Sequence, residues 1–375
     1  MTTKTEVLTK ISMNANAMKE LKNVIKKHKH NKLYPILSNV KVDILNNTTI
    51  KVSHANFDQT QTIKEIDTIF NEYSQPISFL IPIDTLKKVK GIKKDSIYGF
   101  TIEENKITFN NNGISQTWVS VNADNYPKTA NTKSFETIGF INSSDLDNLK
   151  LAAISTAKID SRPILQTVLI RNSKIISTDS HRLYSAPTDL EYNADIIIHK
   201  NLIETIAANE SGKTFKGMIK SNGKQLSIET EKGIYIHNAE VGNYPDVNRL
   251  IPDSFNQYLN ILNIDQFKDI LSNMHTLTKN ERNNTVYLEV VDRHTLKLSA
   301  QNSQGETIET TIGITGHHIE EGFKMACSSL YMKEAIKQLD CMNDLTLNIV
   351  SNLRPFTITT KENNKTSLIL PVRTY

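Results

Sequence analysis

Asp179, Ser180 and His181 stand side by side and are the residue types of a hydrolase triad. That chemistry needs a hydroxyl, an imidazole and a carboxylate to converge on one proton path. The flanking apolar residues Ile175, Ile176 and Leu183 predict an extended strand here, and on a strand adjacent side chains point to opposite faces. No G-x-S-x-G turn is present to lift a serine out of a sheet. The trio therefore reads as structural or binding residues. Ser211-Gly212-Lys213-Thr214 has the tail of a phosphate-binding loop. The glycine required five residues before Gly212 is Ala207, and Phe215 to Lys220 reads as strand where that loop needs a helix. His317-His318 with Glu320-Glu321 lacks the H-E-x-x-H spacing that puts two ligands on one helical face. Cys327 and Cys341 are too few for a zinc site or a disulfide framework, which points to a reduced compartment. The residues imply no enzyme, no metal and no cofactor, only a binding protein.

Bulk properties agree. A chain of 375 residues predicts two or three domains at about 100–200 residues each. Charges of both signs are mixed along it, as in a globular protein. Its 13 glycines in 375 residues are about half the usual share, which disfavours glycine-rich cofactor loops. A net charge of +4 and a pI near 8.7 permit an anionic partner without demonstrating one. MTTKTEVLTK at the N-terminus has no apolar signal core, and no apolar run reaches 18 residues; a soluble, cytoplasmic protein is expected.

The elements that must position any site recur. Ala17, Met18, Leu21, Val24 and Ile25 predict a helix over 14–28, with Lys19, Lys22, Lys26 and Lys29 as a second stripe. Strands are expected at Val40–Leu45 and Thr48–Ser53, then a helix capped by Asp84 with Lys87, Lys90 and Lys94 outward. The order restarts at Ser143-Ser144-Asp145 and again at Asp265, each read as a helix cap. Pro35 and Pro163 are 128 residues apart in matching contexts, as are Pro127 and Pro245 at 118 and Pro245 and Pro371 at 126. So long a period is a domain, not a solenoid unit. Three similar α+β domains follow, at 1–130, 137–254 and 259–375, each with two helices on antiparallel strands. Lysines recur on the helices of the later copies too: Lys150, Lys158, Lys268, Lys333 and Lys337. Recurrence at equivalent positions points to a shared anionic partner.

At Tyr34-Pro35-Ile36-Leu37, Arg162-Pro163-Ile164-Leu165, Ser177 to Leu183, Tyr244-Pro245-Asp246 with Arg249, Ile251-Pro252 and Leu370-Pro371-Val372-Arg373, the chain resembles the bacterial DNA polymerase III beta sliding clamp family. The resemblance covers essentially all residues and is closest to clamps of Firmicute-type bacteria, their phages or plasmids. It implies a head-to-tail homodimeric ring of six clamp domains around duplex DNA, with the helices and their lysines lining the hole. The function implied is processivity: tethering the replicative polymerase, clamp loader and repair proteins through short peptides. A mobile-element or resistance paralogue with other partners is the alternative. The resemblance implies a peptide pocket with apolar walls at Leu165, Thr178, Leu183, Leu250, Tyr331, Leu353, Leu368, Leu370 and Val372. It places His181, Arg182, Arg249 and Arg373 at the rim and Pro245 and Pro371 in the backbone. For the dimer contact it implies Trp118 with Ile270 and Leu271. Three departures stand out: Ser180 replaces a common glycine, Asn283 replaces an aromatic, and the net charge is positive where the family suggests an acidic chain.

Overall fold

The computed structural model describes residues 7–26, 33–73, 77–103, 106–111, 113–119, 122–159, 162–188, 190, 195–210, 214–240, 242–340 and 343–373. Among these residues, six α-helices and three antiparallel sheets form a mixed α/β architecture. The helices are α1 (Ala15–Asn23), α2 (Ile83–Lys88), α3 (Ser143–Ala153), α4 (Lys200–Asn209), α5 (Ile264–Thr278) and α6 (Ser329–Leu339). None is long and apolar enough to cross a membrane.

Helices this short do not persist alone in water, so packing and caps must hold them. α1 buries Met18 and Leu21 against Val40, Val52, Phe79, Phe100 and Phe109. α5 and α6 bury Phe267, Leu271, Met274, Met332, Ile336 and Leu339 against Val286, Leu288, Leu296 and Leu298. At about 1.5–3 kcal/mol per fully buried large apolar side chain, these faces outweigh helix propensity. The caps differ from the sequence expectation in three places. Asn142, not Ser143, starts α3: its Oδ1 accepts from Asp145 N at 3.1 Å while Asp145 Oδ2 accepts from Asn142 N at 2.9 Å, a reciprocal capping box. Asn263, not Asp265, caps α5 by accepting from Gln266 N. Asp84 lies in the first turn of α2, where Pro82 holds the cap position without a side-chain bond. α1 ends at Asn23, with Asn14 as its cap.

The chain divides into two compact units, 1–146 with 201–239, and 147–200 with 240–375. In the first, a five-stranded sheet runs in the order Phe70–Tyr73, Val7–Met13, Tyr98–Glu103, Lys106–Asn111, Ile114–Val119. Its companion has eight strands, and at its middle Gly233–Asn238 pairs with Gln61–Asp67 through Ile234↔Ile63 and Ile236↔Gln61. The second unit holds a twelve-stranded sheet in which Thr366–Ile369 pairs with Arg182–Pro187 through Leu183↔Leu368 and Ser185↔Thr366. Each long sheet thus joins strands from two successive stretches of those expected as repeats. That is why the compact units do not follow the repeat boundaries.

Candidate functional site

The second unit carries a cleft of about 480 Å³ where three chain segments meet. One is the hairpin turn between strands Lys174–Thr178 and Arg182–Pro187. Asp179, Ser180 and His181 form this turn, not a continuous strand. Asp179 Oδ1 accepts from the backbone N of His181 at 3.0 Å and of Arg182 at 3.1 Å, so the carboxylate shapes the turn. The second segment is the start of α6, capped by Ser328 and contributing Leu330 and Tyr331. The third is the chain end. Leu370 N donates to His181 O at 2.9 Å and Val372 N to Ala326 O at 2.8 Å, which lays Leu370–Arg373 along the edge strand Lys324–Ser328.

Six residues expected in a pocket line this cleft together: His181, Tyr331, Leu370, Pro371, Val372 and Arg373. Asn283 lines it as well, with backbone φ at +62°, a conformation asparagine tolerates better than an aromatic would. Asn284, Ser328 and Leu330 complete the wall and escaped the sequence reading. Nothing in the local sequence says which surface these residues face. Leu165, Leu183 and Leu368 lie beneath the surface, in a sealed cluster with Ile164, Leu169, Ile176, Tyr244 and Val247. Thr178 is buried, its hydroxyl donating to Arg182 O at 2.6 Å. Leu250 and Leu353 are exposed, Pro245 is half-buried, and none of the three lines the cleft. Arg249 is exposed and pairs with Asp246 at 3.0 Å.

Arg182 is the polar centre below the rim, only 5% exposed. Its Nε donates to Asp179 Oδ2 at 2.9 Å, its Nη1 to Glu334, and its Nη2 to Ile154 O at 2.7 Å. The guanidinium also lies 4.5 Å from the ring centre of Tyr331. These contacts fix the turn against α6 and set the tilt of Tyr331. Burial pushes the Tyr331 phenol above its ordinary pKa, with the Asp179 carboxylate adding to the rise and Arg182 opposing it. The phenol therefore stays a neutral donor. Cys327, buried under the cleft floor, has its thiol pushed up to about 12 by burial, which removes thiolate chemistry at neutral pH. Cys341 and the Ser211–Lys213 segment lie outside the described residues.

Lysines cluster on the helices of each unit. In the first, Lys22 Nζ donates to Val89 O at the end of α2, and burial with nearby Lys90 lowers its pKa. Lys26 Nζ reaches Ala208 O of α4 at 3.0 Å. Lys19, Lys87 and Lys90 are exposed, and Lys29 lies outside the described residues. In the second unit, Lys268, Lys333 and Lys337 line one groove of about 510 Å³ between α5 and α6, with Ser272 and His275. Burial first, then the Lys333 charge, lowers the His275 pKa, while Glu334, which also lines the groove, opposes the shift. Lys150 and Lys158 are exposed. Lys87, Lys150 and Lys268 each pair with an aspartate three residues earlier, at 3.9, 2.9 and 3.3 Å. Exposed pairs of this kind are worth about 0–1 kcal/mol, so they hold these lysines only weakly.

Trp118 is half-buried on strand Ile114–Val119, the outer strand of the five-stranded sheet. It packs on the core of α1, and its indole N–H finds no acceptor among the described residues. Ile270 is half-buried on α5, whereas Leu271 belongs wholly to the core.

Comparison with known proteins now bears on this geometry. The crystal structure of the DNA polymerase sliding clamp from Bacillus subtilis superposes with a TM-score of 0.82 over 98% of this chain and all of that one, at 20% identity. A DNA polymerase III beta chain from Streptococcus pneumoniae gives 0.83 over the same shares at 21%. The fold is therefore that of a sliding clamp. Residues 248–373 match the family model for the DNA polymerase III beta subunit, C-terminal domain. The beta sliding clamp of Streptococcus pneumoniae R6 is 25% identical over 394 aligned positions, covering 97% of this chain and 99% of that protein. The beta sliding clamp of Staphylococcus epidermidis RP62A is 26% identical over 366 positions, covering 91% and 93%. Its last third thus matches the DNA polymerase III beta subunit model, and along nearly its whole length the chain is similar to bacterial beta sliding clamps.

Proposed function

We propose that two copies of this chain close head to tail into a ring around duplex DNA and act there as a non-enzymatic, cytoplasmic processivity factor. The observation that carries this reading is a join made twice within the chain and left open at its two ends. The last strand of the second repeat, Gly233–Asn238, pairs with Gln61–Asp67 of the first. The last strand of the third, Thr366–Ile369, pairs with Arg182–Pro187 of the second. The last strand of the first repeat, Ile114–Val119, has one edge without a partner among the described residues. Among the described residues, the matching strand of the third, Thr307–His317, pairs over 307–312 only with Thr295–Gln301. A heterologous contact whose rotation closes makes a ring, and these two edges are the halves of the missing join. On this reading the three domains are 1–130, 137–254 and 259–375, and Trp118 sits at the new seam.

The lysine-bearing helices serve the same function. Positive side chains meet phosphates without reading bases, so the ring is held by charge and remains free to slide. Partners, including the replicative polymerase, clamp loader and repair proteins, dock through short peptides in the cleft under the chain end. Aliphatic or aromatic anchors fit beside Tyr331, Leu370 and Val372, with His181 and Arg373 at the rim. A tethered polymerase then rebinds template at high effective concentration, which is the basis of processivity. Topology tests the reading. Loaded by a clamp-loader complex onto circular duplex, the protein should survive a high-salt gel-filtration step and be lost after a single cut linearises the DNA. Equal loss from circular and linear DNA would mean that closure does not hold it.

A further inference from the structure

We infer that the first unit carries a second peptide-docking site, built from counterparts of the hairpin turn and strand end that line the C-terminal cleft and of the 3₁₀ turn and tyrosine in the core cluster beside it. It is a cavity of about 420 Å³ lined by Tyr34, Leu37, Asn56, Phe57, Gln225 and Asn238, among others. In both units a proline-started 3₁₀ turn leads into a strand: Pro35–Ser38 before Asn39–Asn46, and Pro163–Gln166 before Thr167–Arg171. In both, a hairpin turn with one positive-φ residue lies nearby, Gln59 at +65° and Ser180 at +77°. In both, a buried tyrosine followed by proline sits behind these parts. Tyr126 OH accepts from Ala55 N at 3.1 Å and donates to Asn39 O at 3.0 Å, tying hairpin to 3₁₀ turn. Tyr244 is buried among Ile164, Leu165 and Leu183. The third wall also corresponds, since Asn238 ends the strand paired to Gln61–Asp67 and Leu370 follows the strand paired to Arg182–Pro187.

What the first unit adds indicates the occupant. Its hairpin turn runs five residues, 56–60, against three in the second unit, and the extra length carries Phe57 over Tyr34. The rings stack at 5.4 Å although they are 53% and 52% exposed, an aromatic pair left uncovered at a cavity mouth. Among the described residues the lining holds no charged side chain. Beside the Tyr34 phenol its polar side chains are carboxamides: Asn56, Gln59, Gln61, Gln225 and Asn238. Asn56 is only 9% exposed and its Oδ1 has no hydrogen-bond partner among the described residues. A buried unpaired acceptor calls for a donor, and a peptide backbone N–H is a neutral one. The occupant is therefore a short, uncharged partner peptide that sets one aromatic or aliphatic side chain beside Tyr34 and Phe57. The volume is within the roughly 300–1,000 Å³ of small-ligand clefts.

The test uses the full chain and a fluorescein-labelled, end-blocked neutral pentapeptide of one glutamine, three leucines and one phenylalanine. Stoichiometry is read by anisotropy and by native mass spectrometry. Wild type should take two peptides per chain. Phe57→Ala and Tyr34→Ala should each weaken one of the two at least tenfold, with melting temperature unchanged because both rings are half exposed. Leu370→Asp should remove the other. One peptide per chain, lost in Leu370→Asp and indifferent to Phe57→Ala, overturns this site and leaves the C-terminal cleft standing. One peptide lost in Phe57→Ala and indifferent to Leu370→Asp supports the site and overturns the cleft. Displacement of the Phe57-dependent peptide by duplex oligonucleotide, or no binding by wild type, overturns the proposal.

Discussion

Ser180 holds a backbone φ of +77° at the tip of the hairpin that walls the cleft. That region costs an L-residue about 1–2 kcal/mol, which glycine avoids. Local bonds offset part of the cost: Ser180 N donates to Thr178 Oγ1 at 3.1 Å, and its hydroxyl accepts from Arg162. The serine is thus tolerated, and the same angle is one that glycine adopts without strain. In urea denaturation Ser180→Gly should stay within about 0.5 kcal/mol of wild type, as relieved strain and added chain entropy roughly cancel. Ser180→Val should lose about 1–2 kcal/mol, because a β-branched side chain in this region is a true outlier. A valine variant as stable as wild type would show that the turn does not hold this angle. Residue types around the turn were readable as binding types, but their roles were not. Arg182 reads as a rim group in sequence, yet its partner Glu334 lies 152 positions away, beyond any local pattern. Once that pair forms, the arginine is committed to structure, since removing one partner of a buried pair costs about 3–5 kcal/mol.

Helix periodicity located most elements because buried faces repeat every three or four residues whatever the partner. Cap positions slipped by one or two residues for a chemical reason. Asn142, Ser143 and Ser144 can all cap, as can Asn263 and Asp265, and only backbone geometry selects among neighbours. The lysine stripes were legible as stripes, but which lysines converge was not. Lys268 is on α5 and Lys333 and Lys337 are on α6, and packing of the two helices puts all three in one groove. Each phosphate contact contributes about 0.9 to the slope of log affinity against log salt. Changing Lys268, Lys333 and Lys337 together to glutamine should therefore lower the slope magnitude by about 2–3, measured by anisotropy with a short duplex. The change should be alike for duplexes of different sequence, since phosphates carry no base information. An unchanged slope would remove this groove from the DNA path.

At the scale of the whole molecule, the spaced prolines led to an expectation of three repeats, whereas the pairing of the sheets was not visible. Sheet pairing across repeats depends on which strand ends meet, and no periodicity records that. The strand Ile114–Val119 shows what the repeat leaves open. Its Ile114 and Val119 are 59% and 76% exposed on an outer strand, a surface that invites further pairing. The strand over 307–312 offers the complementary edge in the second unit. Because Ile114 and Val119 lie outside the core, charged residues there spare the monomer fold and strike only the seam, where two unpaired carboxylates per interface would be desolvated. A chain of 42.4 kDa should run at twice that mass by light scattering, and the Ile114→Asp/Val119→Asp double variant at the monomer mass with melting cooperativity kept. A ring has two such seams, so one substitution pair acts twice and the shift should be nearly complete at micromolar protein. A double variant that remains dimeric would place the interface elsewhere, and the closed ring would have to be rebuilt from another pair of edges.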